Sequence, residues 1–248
     1  MIDSNSSLED FQARNDAVYR QVNDRHYSAE RMFARLHRHI THVLKAVRKG
    51  EQEKRPEAYE HIMYHLCMAF SWSLSMLNRY HINLADDMWR RFPGVCPYCG
   101  EAPCCCKKRP KDRQKLVGKT RGQQPISFRD WQKMFAEVYP NIVLVSAIHL
   151  AEEAGEVNEA LHAHSATHQD DNFWKIVEEL VDVVTNIFGV ANCLKLDLAA
   201  GMAAYFSDGC PRCKKPVCEC GFVLSDKPIA LKAGSTSELK AKQGQLFT

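Results

Sequence analysis

Apolar positions recur along the chain at three- and four-residue intervals, and no stretch shows the strict alternation of a half-buried strand. The pattern predicts helices over 8–22, 28–49, 57–79 and 83–92, and again over 127–138, 141–164, 171–194 and 197–206. Pro56 suits the first turn of its helix, and Pro140 separates two others. Each set reads as a short entry helix, two long helices and a shorter one. The fold class is therefore all-α, with long helices paired as in a bundle. The segment 107–126, KKRPKDRQKLVGKTRGQQPI, is basic and rich in helix breakers, so it reads as a linker. The tail 222–248 is expected to be irregular.

The two helical sets repeat each other. Shifting residues 36–106 by 114 positions, without a gap, gives 15 identities over 71 positions, where chance at roughly 6% per position gives about 4. Among them are Leu36/Leu150, Val43/Val157, Leu66/Leu180, Asn78/Asn192 and Phe92/Phe206. Upstream, Asp10-Phe11-Gln12 and Val18-Tyr19 match Asp130-Trp131-Gln132 and Val138-Tyr139 at an offset of 120. A tandem duplication with a six-residue indel accounts for both offsets. It divides the chain into a repeat over 1–106, the linker, a repeat over 127–221 and the tail.

Composition excludes little. With Lys+Arg 33 against Asp+Glu 30 the net charge is +3, which rules out a histone-like or strongly acidic chain. No apolar run approaches the roughly 18–20 residues that span a bilayer. The opening MIDSNSSLEDFQ lacks the basic and apolar regions of a secretory signal, so a cytoplasmic location is expected. Cysteine changes the picture. The chain has 11, and eight fall into two quartets with the pattern C-P-x-C-x4-C-x-C: Cys96, Cys99, Cys104 and Cys106, then Cys210, Cys213, Cys218 and Cys220. Four thiolates from two short knuckles suit one tetrahedral Zn²⁺. An iron–sulfur cluster and unmetallated thiols are the alternatives, as is sharing of each ion between the quartets. Lys107, Lys108, Arg109, Arg212, Lys214 and Lys215 would offset the −2 charge of a zinc tetrathiolate. Cys67, Cys105 and Cys193 lie outside the pattern.

The second half also concentrates carboxylates. Glu152, Glu153 and Glu156 fall on neighbouring positions of one predicted helix, and Glu179 and Asp182 on the next. Antiparallel pairing brings these faces together, and carboxylates converging without cations repel one another. Hard divalent ions such as Mg²⁺ relieve that conflict through oxygen ligands. The alternative for EExxE alone is a solvated helix face, since Glu is a good helix former. Asp182 resists that reading, because Val181, Val183, Val184 and Ile187 surround it and a buried carboxylate needs a partner.

With EExxE at Glu152, Glu153 and Glu156, and ExxD at Glu179 and Asp182, residues 128–206 resemble the MazG-like all-α nucleotide pyrophosphohydrolase superfamily; residues 8–92 resemble a degenerate copy. The resemblance implies Mg²⁺ (or Mn²⁺) held by Glu153, Glu156, Glu179 and Asp182. Glu152 would be a further ligand, or would orient or deprotonate the attacking water. The implied reaction is water attack on the α-phosphorus of a nucleoside triphosphate, releasing the monophosphate and pyrophosphate, with clearance of unwanted nucleotides as the implied role. Asn186 and Asn192 are candidate contacts to sugar or base; helix packing is the other reading of both. The Lys or Arg and Asn cluster that family members often carry after the third helix is missing here, which leaves Lys195, Lys232 or the linker to meet phosphates.

The first half cannot form this Mg²⁺ site. At the 114 offset Arg38, His39 and His42 replace the three glutamates, and His65 and Met68 replace Glu179 and Asp182. Active bundles of the family generally combine two subunits. The resemblance thus implies that the first half is a built-in partner, giving a monomeric pseudo-dimer or a homodimer of such chains. Tyr64, Phe70 or Trp72 would wall the base pocket. His39, His42 and His65 are also candidate ligands for a transition metal, since imidazoles suit Zn or Ni. The competing function is a non-catalytic zinc-knuckle module that binds nucleic acid or a protein partner through the basic linker.

Overall fold

The computed structural model describes residues 2–53, 56–106 and 119–221. Among these residues the chain is all-α, with one isolated bridge between Ser7 and Ser127. The helices are α1 (Leu8–His26), α2 (Ala29–Glu53), α3 (Pro56–Arg79), α4 (Leu84–Arg91), α5 (Phe128–Val138), α6 (Val143–Thr167), α7 (Asp170–Cys193) and α8 (Leu198–Phe206). No single helix among the described residues is long and apolar enough to cross a membrane. The expected boundaries shift by a few residues. α1 continues four residues past Val22 through polar Asn23–His26, where apolar periodicity carries no signal. α6 begins at Val143, after Pro140, and ends at Thr167, with His168 in the left-handed region (φ 52°). Residues 107–118 of the linker and the tail 222–248, including Lys232, lie outside the described residues.

The same local chemistry starts corresponding helices. Ser7 and Asp10 form a reciprocal capping box at α1, and Ser127 and Asp130 form another at α5. Asn83 caps α4 and Asp197 caps α8, each through its side-chain oxygen. A glutamine amide ties each entry helix to the turn before its short helix, half-buried at Gln12 and fully buried at Gln132. Gln12 Nε2 donates to the Ile82 carbonyl (2.6 Å), while the Leu84 N–H donates to Gln12 Oε1 (3.0 Å). Gln132 makes the corresponding bonds to Leu196 (2.7 Å) and Leu198 (3.1 Å).

The long helices build the core. α2 packs on α3 and α6 on α7, and the pairs meet through α2 against α6 and α3 against α7. Phe11, Phe70, Phe128 and Phe188 meet at the centre, with ring centroids 4.8–5.8 Å apart. Each such side chain contributes about 1.5–3 kcal/mol through burial. The short helices cross over: α4 packs on α7, and α8 packs on α3. Gly201 permits the second approach, since a Cβ there would lie 2.5 Å from Met63 Sδ. The cysteine segments cross over too. The Cys104 N–H donates to the Val138 carbonyl (2.8 Å), and the Cys218 N–H to the Val18 carbonyl (2.7 Å).

Candidate metal centres

Each cysteine quartet closes on itself. Within each, the four sulfurs lie within 4.8 Å of one another, so neither quartet lends ligands to the other. Cys96 and Cys106 Sγ are 3.7 Å apart, Cys99 and Cys104 3.9 Å, and Cys210 and Cys220 3.8 Å. A tetrahedron with Zn–S bonds of about 2.3 Å has edges of about 3.8 Å. The sulfurs therefore stand at the spacing that a zinc ion requires. The backbone turns are also alike. The Gly100 and Lys214 N–H groups donate to the Cys96 and Cys210 carbonyls (2.8 and 2.9 Å), with φ of 67° and 60°. Tyr139 hydrogen-bonds Cys96 and Tyr19 hydrogen-bonds Cys210; burial first, then the neighbouring sulfurs, push both phenols well above their ordinary range. Cys67 is fully buried among apolar residues, whereas Cys105 and Cys193 are partly exposed.

The carboxylates gather where α6 faces α7. One oxygen each from Glu153, Glu156 and Glu179 lies within 4.8 Å of the others. The amphipathic pattern of α7 puts Glu179 inside at 1% exposure. Its one described ion pair is with Lys175, one turn earlier, and its Oε2 is buried without a hydrogen-bond partner. Glu153 is half-buried, and burial, followed by repulsion from Asp182, Glu156 and Glu179, raises its pKa to about 8. Glu156 is shifted upward as well, by burial and by Glu179. The protein thus holds acids together at an electrostatic cost that a divalent cation would remove.

Asp182 meets a cation supplied by the first half. Arg91, at the end of α4, grips its carboxylate with two N–H donors and also reaches Glu178 at 3.5 Å. Burial lifts the Asp182 pKa to about 6 against the opposing pull of Arg91. Asp182 is accordingly not one of the three gathered carboxylates. Glu152 is exposed and also stands outside that group. Asn186 Nδ2 donates to the Asp182 carbonyl one turn back (3.0 Å). Asn192 Nδ2 donates to the Gln132 carbonyl (2.9 Å), as Asn78 does to Gln12 (3.2 Å).

Of the aromatic wall expected from the first half, Phe70 and Tyr64 are core and Trp72 is partly buried at its edge. Phe70 is fully buried against Phe128 and Phe188, Tyr64 is buried against Tyr205, and Trp72 packs on Tyr27 at 5.1 Å. Their apolar neighbours on α3 fill the bundle, so these rings follow them inward. Lys195 sits in the α7–α8 turn with φ 55°, past the end of α7. The fourteen residues from Glu179 to Cys193 put that turn about 21 Å from the gathered acids. Further toward the start of α7, Trp174 precedes Lys175 and is 46% exposed, with the Arg90 guanidinium 5.6 Å from its ring. Tyr98 of the first cysteine segment feels the fields of Arg91, Asp182 and Glu153.

Sequence reasoning missed Arg91, Lys175, Tyr98 and Trp174. Lys175 was visible in its i,i+4 spacing to Glu179. Arg91 carried no local signal, because it reaches Asp182 only through the crossing of α4 onto α7. Comparisons with protein-family models, curated proteins and solved structures gave no match to this chain.

Proposed function

We propose that the chain is an internally duplicated, MazG-like nucleotide pyrophosphohydrolase, whose second half carries the Mg²⁺ site and whose first half completes the bundle. The observation that carries this reading is the gathered set of Glu153, Glu156 and Glu179, with Glu179 Oε2 buried and unpartnered. The donor set is all oxygen, which fits Mg²⁺ or Mn²⁺. When bound, such an ion supplies charge neutralisation on the polyphosphate and a lowered pKa for water. The paired capping boxes, the paired Gln12 and Gln132 bonds and the like turns of the two cysteine quartets support the duplication. The self-contained quartets support a structural Zn²⁺ in each.

The remaining side chains then take definite tasks. Glu152, exposed beside Glu153, accepts a proton from or orients the attacking water. Arg91 neutralises Asp182 until substrate binds, and then shares its guanidinium with a phosphate oxygen, which suits its planar fork of donors. Trp174 offers a ring face to the base, with Arg90 above it.

Pyrophosphate release from a panel of ribo- and deoxynucleoside triphosphates, with and without Mg²⁺, tests this function. Turnover should require the metal and fall sharply in Glu153→Gln and Asp182→Asn. Undiminished release by both variants would sink the site. Salt-sensitive nucleic-acid binding without turnover, lost on cysteine replacement but not on carboxylate replacement, would establish the binding-module alternative.

A further inference from the structure

Where the second half gathers carboxylates between α6 and α7, the first half gathers imidazoles between α2 and α3. His39 and His42 lie three residues apart on α2, and His61 and His65 four apart on α3, so each pair occupies one face of its helix. His42, His61 and His65 each present a ring nitrogen within 4.8 Å of the other two. His65 Nε2 stands 3.1 Å from His61 Nε2, and the His42 ring stacks on His65 at 4.5 Å between centroids. Behind them, His39 Nδ1 lies 2.8 Å from His65 Nδ1.

We propose that His42, His61 and His65 bind a late first-row divalent metal of the Zn²⁺, Ni²⁺ or Co²⁺ class, with His39 orienting His65. The geometry fits the ion. Tetrahedral bonds of about 2.0–2.1 Å separate ligand nitrogens by about 3.3–3.4 Å, close to the spacing of His61 and His65. The inner hydrogen bond fits as well. His39 and His65 are 2% and 1% exposed. At 2.8 Å the two buried Nδ1 atoms have room for one proton between them. One Nδ1 therefore donates and the other accepts. Donation by His65 leaves its Nε2 lone pair aimed at the cluster, and metal-bound histidines commonly fix their tautomer through such a bond. His42 and His61 are only partly buried, which leaves an approach for the ion. Arg38 and Lys45 set positive charge beside His65 and His61. That field opposes hard Mg²⁺ and leaves the advantage to metals with strong bonds to imidazole. The donor set contains no carboxylate, so this site and the proposed pyrophosphohydrolase site stand or fall separately.

The test uses the full chain with both cysteine quartets loaded with Zn²⁺ and excess Mg²⁺ present, titrated with Co²⁺ near neutral pH. One further Co²⁺ per chain is expected, with visible ligand-field absorption and without sulfur-to-cobalt charge transfer. His42→Ala and His61→Ala should each weaken that binding at least about tenfold, while retaining wild-type helicity and cysteine-bound zinc. In the wild-type chain, added Zn²⁺ should also shift the ring-nitrogen resonances of His42, His61 and His65. Failure to bind the additional ion, equal binding by both variants, or unmoved histidine resonances would overturn the proposal.

Discussion

The two clusters occupy corresponding places, each between the long helices of its own half, yet they meet burial in opposite ways. In the second half, Glu153, Glu156 and Glu179 stay close although their charges repel, and Glu153 responds by holding its proton to about pH 8. In the first half, His39 and His65 avoid charge altogether, remaining neutral down to about pH 3 and 2. The neighbours differ accordingly. His61 takes the place of Lys175 at the 114 offset, and Tyr205 the place of Arg91. Arg91 balances Asp182, whereas Tyr205 packs on Tyr64 beside His65. The second half thus gathers hard oxygen donors and the first half borderline nitrogen donors.

Breaking the Arg91–Asp182 pair is expected to cost the most. Arg91→Ala strands a buried carboxylate, and loss of one partner from such a pair typically costs about 3–5 kcal/mol. Denaturant unfolding of the Mg²⁺-free protein measures this loss, and added Mg²⁺ should recover part of it. Next, Glu179→Gln should lower pyrophosphate release by roughly 100- to 1000-fold while raising the thermal midpoint of the Mg²⁺-free protein. A catalytic loss without that stabilisation would mean that the acids do not strain the fold.

A pH series separates the clusters by sign. Glu153 has its ordinary value of 4.5 when unfolded and about 8 when folded, facing Glu156, Glu179, Asp182 and Tyr98. Between these values the folded chain holds more protons, so its contribution to stability is lost as pH rises. His39 and His65, facing each other, His42, His61, Arg35 and Arg38, are depressed from 6.5 and act oppositely, losing stability as pH falls below that value. From pH 6.5 to 8, zinc-loaded but Mg²⁺-free protein should therefore lose stability with rising pH, a slope that Mg²⁺ or Glu153→Gln removes. Thermal melts across that window check it. The smallest effect is structural: Gln132→Ala should cost about 1–3 kcal/mol by leaving buried groups unpaired. Gln12→Ala should cost less, because Gln12 is only partly buried. Equal unfolding shifts would erase that difference between the halves.

Much of this was legible in the residue pattern. Three- and four-residue apolar spacing placed all the described helices to within a few residues, because burial of one helical face dictates that spacing. The quartets were legible because four cysteines fall within a few turns of chain. The carboxylates on α6 and α7 were legible as neighbours, but not Glu152's separation from Glu153, which depends on the exact rotation of α6. His61 escaped notice because it corresponds to a lysine in the other half, although its spacing to His65 was in plain view. Arg91 was illegible in principle. Its partner lies 91 positions away, and only the crossing of α4 onto α7 joins them.

That crossing, with Cys104 bonded to Val138 and Cys218 to Val18, means that neither half is finished by its own residues. Each supplies the clasp that closes the other, in the manner of an exchanged-arm dimer whose two copies happen to share one polypeptide. A chain severed between Cys106 and Lys119 should hold together through its interlocked pieces, and a permuted gene encoding the second half first should give the same molecule.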